Sequence, residues 1–183
     1  MRIKDFFRRI AYRLRGEITI EQLVKMGLKV GNNFSAQKGY NLDPSHCWLI
    51  TIGDDVTLAP NVQILAHDAS TYRYLGYTKI GRVNIGNRVF IGAGSIILPN
   101  VTIGDDVIIG AGSVVSHSVF AGGVYAGNPL RPIGTTAEYV NKHSLNMKQV
   151  AVYGEEYTLR GNISESMKME QYEALADNIG YVR

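Results

Sequence analysis

The stretch IGNRVFIGAGSIILPNVTIGDDVIIGAGSVV, Ile85 to Val115, decides the fold. An aliphatic residue returns every six positions, at Ile85, Ile91, Ile97, Ile103, Ile109 and Val115, usually followed by glycine or another small residue. Four places after each stands a second compact residue: Val89, Ser95, Val101, Val107, Ser113 and Val119. A helix would repeat at three and four and a simple strand at two, so neither explains this period. Working outward, the same spacing recurs upstream at Ile52, Leu58 and Ile64, with Val56 and Val62 as the compact partners. The twenty glycines of the 183-residue chain fall in this register rather than in flexible clusters. A period sustained over roughly seventy residues marks a repeat architecture. Each hexad supplies a short strand and a turn, three hexads close one triangular coil, and coils stack as parallel strands at about 4.8 Å. The first residue of each hexad then fills the narrow interior.

The register weakens at two places. Val30 opens a first hexad, but LDPSHCWLI, Leu42 to Ile50, runs about two residues short of the period, which predicts an irregular coil. In QILAHDASTYRY, Gln63 to Tyr74, hexads set at Ile64 and Lys79 leave nine residues over, and residues 70–78 are expected as a protruding loop. With hexads counted this way, Ile64, Ile91 and Ile109 share one face. His67 then stands above a strip made by Ala93, Gly94, Ala111 and Gly112, the residues of two IGAGS segments.

At the N-terminus, Ile3, Phe6, Phe7, Ile10 and Leu14 follow the spacing of an amphipathic helix, with Arg2, Lys4, Arg8, Arg9, Arg13 and Arg15 around them. Two readings of residues 2–15 stand side by side: a cap or subunit contact, and a helix lying on an anionic membrane surface. Thr19 and Gln22 form a capping box for a second short helix that Gly27 stops. Beyond Gly134, TTAEYVNKH and SESMKMEQYEALAD read as helices, the second with Ser164 as N-cap. The expected division is 1–27 helical, 28–134 repeat and 135–183 helical tail.

Composition narrows the function classes. No apolar run reaches the roughly 18 residues of a membrane-spanning helix. The single cysteine, Cys47, excludes an internal disulfide framework. With no signal-peptide pattern at the N-terminus, a cytoplasmic protein is expected, at the inner face of the membrane if the first helix binds lipid. The net charge is +3, with Arg2, Lys4, Arg8, Arg9, Arg13 and Arg15 crowding the start of the chain against Asp5 alone, and no basic face for nucleic acid is expected.

The segments IGDDVTLAPNVQIL, IGNRVFIGAGSIILPN and VTIGDDVIIGAGSVV, with the closing AGNPLRPIG, resemble those of the hexapeptide-repeat acyltransferases over Val30 to about Gly134. SHCWLI and AHDAS resemble the sugar and polysaccharide O-acetyltransferase branch. The resemblance implies a mainly β fold, a left-handed parallel β-helix solenoid with N-terminal helices and a helical C-terminal tail. It implies a homotrimer with sites between adjacent subunits, in which acetyl-CoA is the donor and a hydroxyl of a sugar or surface-polysaccharide precursor the acceptor. His67 matches the family's base. Ala93, Gly94, Ala111 and Gly112 match pantetheine-contacting positions, and Arg131 a basic position near the nucleotide phosphates. Ser116 and His117 replace the Thr-Lys of many relatives, which loosens the reading of Ser116 as a cofactor contact.

The chemistry explains the histidine. A sugar hydroxyl is a poor nucleophile, and an imidazole of reference pKa about 6.5 accepts its proton as attack on the thioester begins. Transfer is direct, because nothing near Cys47 marks an activated thiolate. Asp68 occupies a slot usually held by Val or Ser, so it has a partner or the coil has turned outward there; an orienting or substrate-binding role beside His67 and plain loop structure are both open readings. His46, Asp43, Tyr72 and Tyr74 are candidate substrate contacts. Asp54-Asp55 and Asp105-Asp106 are read as turn residues. No metal site is expected, since His46, His67, His117 and His143 lack the paired spacing of the zinc enzymes that share the solenoid. The alternatives are an acetyltransferase acting on serine, a xenobiotic or an amino sugar, and a non-enzymatic scaffold.

Overall fold

β-Branched residues at the hexad starts favour extended backbone, and the glycine, asparagine or aspartate that follows turns the chain, so each strand is only a few residues long. The computed structural model describes residues 18–183. The amphipathic helix expected over residues 2–15 lies outside them. Among the described residues no helix is long and apolar enough to cross a membrane.

From residue 29 onward the chain visits three parallel sheets in turn. The first holds Lys29–Val30, Ile50–Ile52, Val83–Ile85 and Thr102–Ile103; the second Ser35–Ala36, Thr57–Leu58, Phe90–Ile91, Ile108–Ile109 and Gly123–Ala126; the third Gln63–Ile64, Ile96–Ile97 and Val114–Val115. Strand Arg131–Thr135 closes the second sheet antiparallel. The hexad starts stack on one another: Ile52 on Ile85 and Ile103, Leu58 on Ile91 and Ile109, Ile64 on Ile97 and Val115. These nine side chains, and the compact residues four places on, are buried. Full burial of such a side chain stabilises by about 1.5–3 kcal/mol. Ser95 and Ser113, the polar members of the set, are satisfied by the Gly110 carbonyl at 3.0 and 2.6 Å.

One corner of the stack is closed by a ladder of side chains. The Asn32 amide donates to Asp54, the Asp54 amide to Asn87, and the Asn87 amide to Asp105, at 2.6, 2.9 and 2.8 Å. The amide of Asn87 holds the Asp105 carboxyl below the usual carboxylate range, and the Arg88 guanidinium does the same for Asp106. These aspartates are turn residues, as their positions suggested.

The sorting of hexads onto faces needs correction. Ile64 stacks with Ile97 and Val115, not with Ile91 and Ile109. The cause is Lys79-Ile80, which imitates a hexad start but pairs antiparallel with His67-Asp68, leaving Ile80 60% exposed. The excursion is therefore longer than residues 70–78. It is a hairpin from His67 to Ile80 that carries a 3-10 turn, Ala69–Thr71, and a helical turn, Tyr72–Leu75.

Helix Ile20–Lys25 has the expected capping box, with Thr19 and Gln22 exchanging hydrogen bonds, and ends before Gly27 at φ +111°. Contacts divide the chain into units 1–136 and 137–183. The second unit contains most of helix Thr136–Asn146, helix Glu165–Ala174 capped by Ser164, and the parallel pair Val152–Tyr153 and Tyr181–Val182. Within it, His143 Nδ1 lies 2.7 Å from the Tyr181 hydroxyl.

Candidate active site

Two irregularities of the repeat meet at one corner. Asn41 bridges to Gln63, which brings Leu42 into line with Ile64 in the third sheet. Ten positions separate Leu42 from Ile52 and twenty-one separate Ile64 from Ile85, whereas six separate Ile97 from Ile103. The surplus residues of both coils leave the third sheet at the same place. They carry Asp43, His46 and Trp48 on one coil and His67 on the next.

Asp43 is 2% exposed, at φ +39°, a conformation that aspartate tolerates better than most residues. Its Oδ2 accepts the amides of Ala66 at 2.7 Å and His67 at 2.9 Å, and lies 2.6 Å from His67 Nδ1. Burying a carboxylate is costly unless it is paired and hydrogen-bonded, and three donors on one oxygen meet that requirement. A carboxylate only accepts, so the imidazole proton sits on Nδ1 and the Nε2 lone pair is left for an incoming proton. The His67 side chain is 35% exposed. The pair is thus an imidazole held in one orientation through Nδ1 by a buried carboxylate.

His46 stands beside it, with ring centroids 5.0 Å apart, and Trp48 lies 5.2 Å beyond His46. Asp43 Oδ1 and His46 Nδ1 are buried without hydrogen-bond partners. Asp43, His46 and His67 each offer a donor atom within 4.8 Å of the others, a set able to hold a metal ion.

Asp68 does not contact the imidazole, contrary to the role expected of it. Its Oδ2 lies 2.6 Å from Lys79 Nζ, and Oδ1 accepts the Ser70 amide at 2.8 Å. The Lys79 ammonium lowers the carboxyl to about 2. The missing partner of Asp68 is therefore Lys79 across the hairpin, and the carboxylate on His67 is Asp43. Sequence reading also passed over Trp48. The signal was present: two surpluses of length at one corner bring Asp43, one residue past Leu42, against Ala66 and His67.

Of the remaining candidates, Tyr72 and Tyr74 are exposed on the hairpin. Ala93, Gly94, Ala111 and Gly112 form an exposed stack at the corner between the second and third sheets, where the Gly94 amide donates to Pro60 and the Gly112 amide to Ala93. This strip continues from Pro60 rather than from His67. Gly94 and Gly112 adopt φ +69° and +68°, which glycine takes without strain. Ser116 is exposed, its Oγ 3.4 Å from His117 Nδ1, and Arg131 is exposed at the start of its strand.

Residues 82–117 match the family model described as bacterial transferase hexapeptide (six repeats). Protein CapG of Staphylococcus aureus is 36% identical over 137 residues, covering 70% of this chain and 78% of CapG. A maltose O-acetyltransferase from Clostridium difficile 630 superposes with a TM-score of 0.53 at 43% identity, over 60% of this chain and 59% of that one. The hexapeptide-repeat acetyltransferase VCA0836 of Vibrio cholerae O1 biovar eltor, complexed with acetyl coenzyme A, gives a TM-score of 0.53 at 27% identity, over 60% and 61%. The chain thus spans about six tenths of the two solved structures and over three quarters of CapG. With the six-residue stacking and the extent of its likeness to CapG, the chain belongs to the hexapeptide-repeat acyltransferase family.

Proposed function

We propose that the chain is an acetyl-CoA-dependent O-acetyltransferase that acetylates a hydroxyl of a sugar or surface-polysaccharide precursor. The observation that carries this reading is the 2.6 Å contact between His67 Nδ1 and the buried Asp43. It supplies a base with its lone pair on the open side, in a family whose solved relatives include one named for maltose and one bound to acetyl coenzyme A.

In the proposed reaction His67 Nε2 takes the proton of the acceptor hydroxyl as its oxygen attacks the thioester carbonyl. The tetrahedral oxyanion collapses, the carbon–sulfur bond breaks, and the imidazolium returns its proton to the leaving thiolate. Asp43 stabilises the imidazolium between these events. The imidazole and carboxylate suffice for this sequence without a metal.

Three stacked sheets visited in rotation support a parallel β-helix, and the family resemblance supports its left hand. The family resemblance supports a homotrimer in which pantetheine runs along Ala93, Gly94, Ala111 and Gly112 between adjacent subunits, with Ser116 and Arg131 toward the nucleotide. We further propose a cytoplasmic location; for residues 2–15 the sequence supports a cap or subunit contact on one reading and contact with the inner face of the membrane on the other. Replacing His67 by alanine is expected to lower turnover about a hundredfold or more, measured as thiol release with a sugar acceptor. Nearly full activity in that variant removes His67 from the mechanism.

A further inference from the structure

Trp48, His46 and His67 form a row of rings, with centroid separations of 5.2 and 5.0 Å. Trp48 is 52% exposed, yet its base is fixed. The preceding Cys47 is fully buried, with Sγ 3.6 Å from the Leu23 carbonyl, and the turn Cys47–Leu49 holds both residues. A Cβ on Gly27 would come within 2.8 Å of Trp48 Cβ, so the glycine leaves room for the base of the Trp48 side chain. A large apolar ring left half exposed beside two imidazoles, on a fixed backbone, is a surface that can take a ligand.

The two imidazoles are complementary. His67 gives its Nδ1 proton to Asp43 and presents a lone pair at Nε2. His46 Nδ1 is buried without a partner, and a proton there would be a buried unsatisfied donor. The proton therefore belongs on His46 Nε2, the ring's open edge. One neighbouring imidazole accepts and the other donates.

We propose that Trp48 and His46 form the acceptor subsite, and that it takes a pyranose ring. The C–H face of the sugar lies on the indole, one hydroxyl accepts a hydrogen bond from His46 Nε2, and a neighbouring hydroxyl gives its proton to His67. A flat molecule with an apolar face and adjacent hydroxyls on its edge meets all three groups; serine does not. This inference rests on the acetyl-transfer reading above and names the substrate class of that same site.

Trp48 is the chain's single tryptophan, so its emission reports the subsite directly. Maltose is titrated into the full-length protein beside glucose, galactose and N-acetylglucosamine, with glycerol as the hydroxyl-bearing control that has no ring. A sugar that is acetylated should shift Trp48 emission saturably, glycerol should not, and His67→Ala should keep the shift while losing turnover. Trp48→Ala and His46→Phe should each raise the KM for that sugar about tenfold, with the KM for acetyl-CoA unmoved and Trp48→Phe recovering part of the loss. A sugar that turns over without shifting the emission, with unchanged KM in both variants, overturns the subsite and leaves the acetyl transfer standing. A Trp48→Ala protein of smaller assembled mass assigns the indole to a subunit contact and equally overturns it. If no sugar of the panel is turned over, the acetyl-transfer reading itself falls, and the subsite with it.

Discussion

At the scale of the residue, Asp43 carries more of the site than its place in the sequence suggests. One oxygen receives two backbone amides and an imidazole, so the carboxylate both anchors its corner and orients the His67 ring. Asp43→Asn keeps the shape but removes the charge, and the amide nitrogen competes for the position of the Nδ1 proton. It is expected to lower kcat at least tenfold to about a hundredfold at saturating acetyl-CoA and sugar, with the melting temperature followed in parallel. Wild-type kcat with a lowered melting temperature would make Asp43 structural only. His67 was legible because it breaks a repeat, and a residue that breaks a repeat is visible without a fold. Its pairing with Asp43 was not, because the two meet across coils, 24 positions apart. Asp68, being adjacent to His67, drew the expectation of a contact that the structure gives to Asp43.

At the scale of the element, the hairpin from His67 to Ile80 is clasped at its base by Asp68 and Lys79. The ammonium lowers the Asp68 carboxyl from its reference value of 3.8 to about 2. A carboxyl whose folded pKa lies below its unfolded one favours the folded form above the unfolded value. That preference is lost as the pH falls through the folded one. The clasp is therefore intact above about pH 4 and released toward pH 2. Carbon-detected titration of the Asp68 carboxyl should give a midpoint near 2, moving up toward the reference value in Lys79→Met. An unmoved midpoint assigns the shift to the Ser70 amide instead. The strands of the repeat were legible to the residue, since each inward aliphatic is buried where the period puts it. The hairpin's end was not, because Lys79-Ile80-Gly81 has the same pattern as a hexad start and only its antiparallel partner distinguishes it.

At the scale of the whole molecule, the rotation of short strands among three parallel sheets leaves the site on a corner that opens outward, and a groove for a long cofactor needs a second wall. A neighbouring copy is the expected wall, so light scattering should find three times the chain mass in solution; a monomer that turns over sugar would overturn the shared site. The corner has one more consequence. The sheets carry backbone hydrogen bonds from coil to coil, and the surplus residues leave the stack after one ladder ends and rejoin before the next begins. Adding or removing residues there costs loop-closure entropy that grows only with the logarithm of length. Descendants of such a scaffold can exchange one corner for another of different size and so address a new hydroxyl compound, while the spine beneath is inherited unchanged.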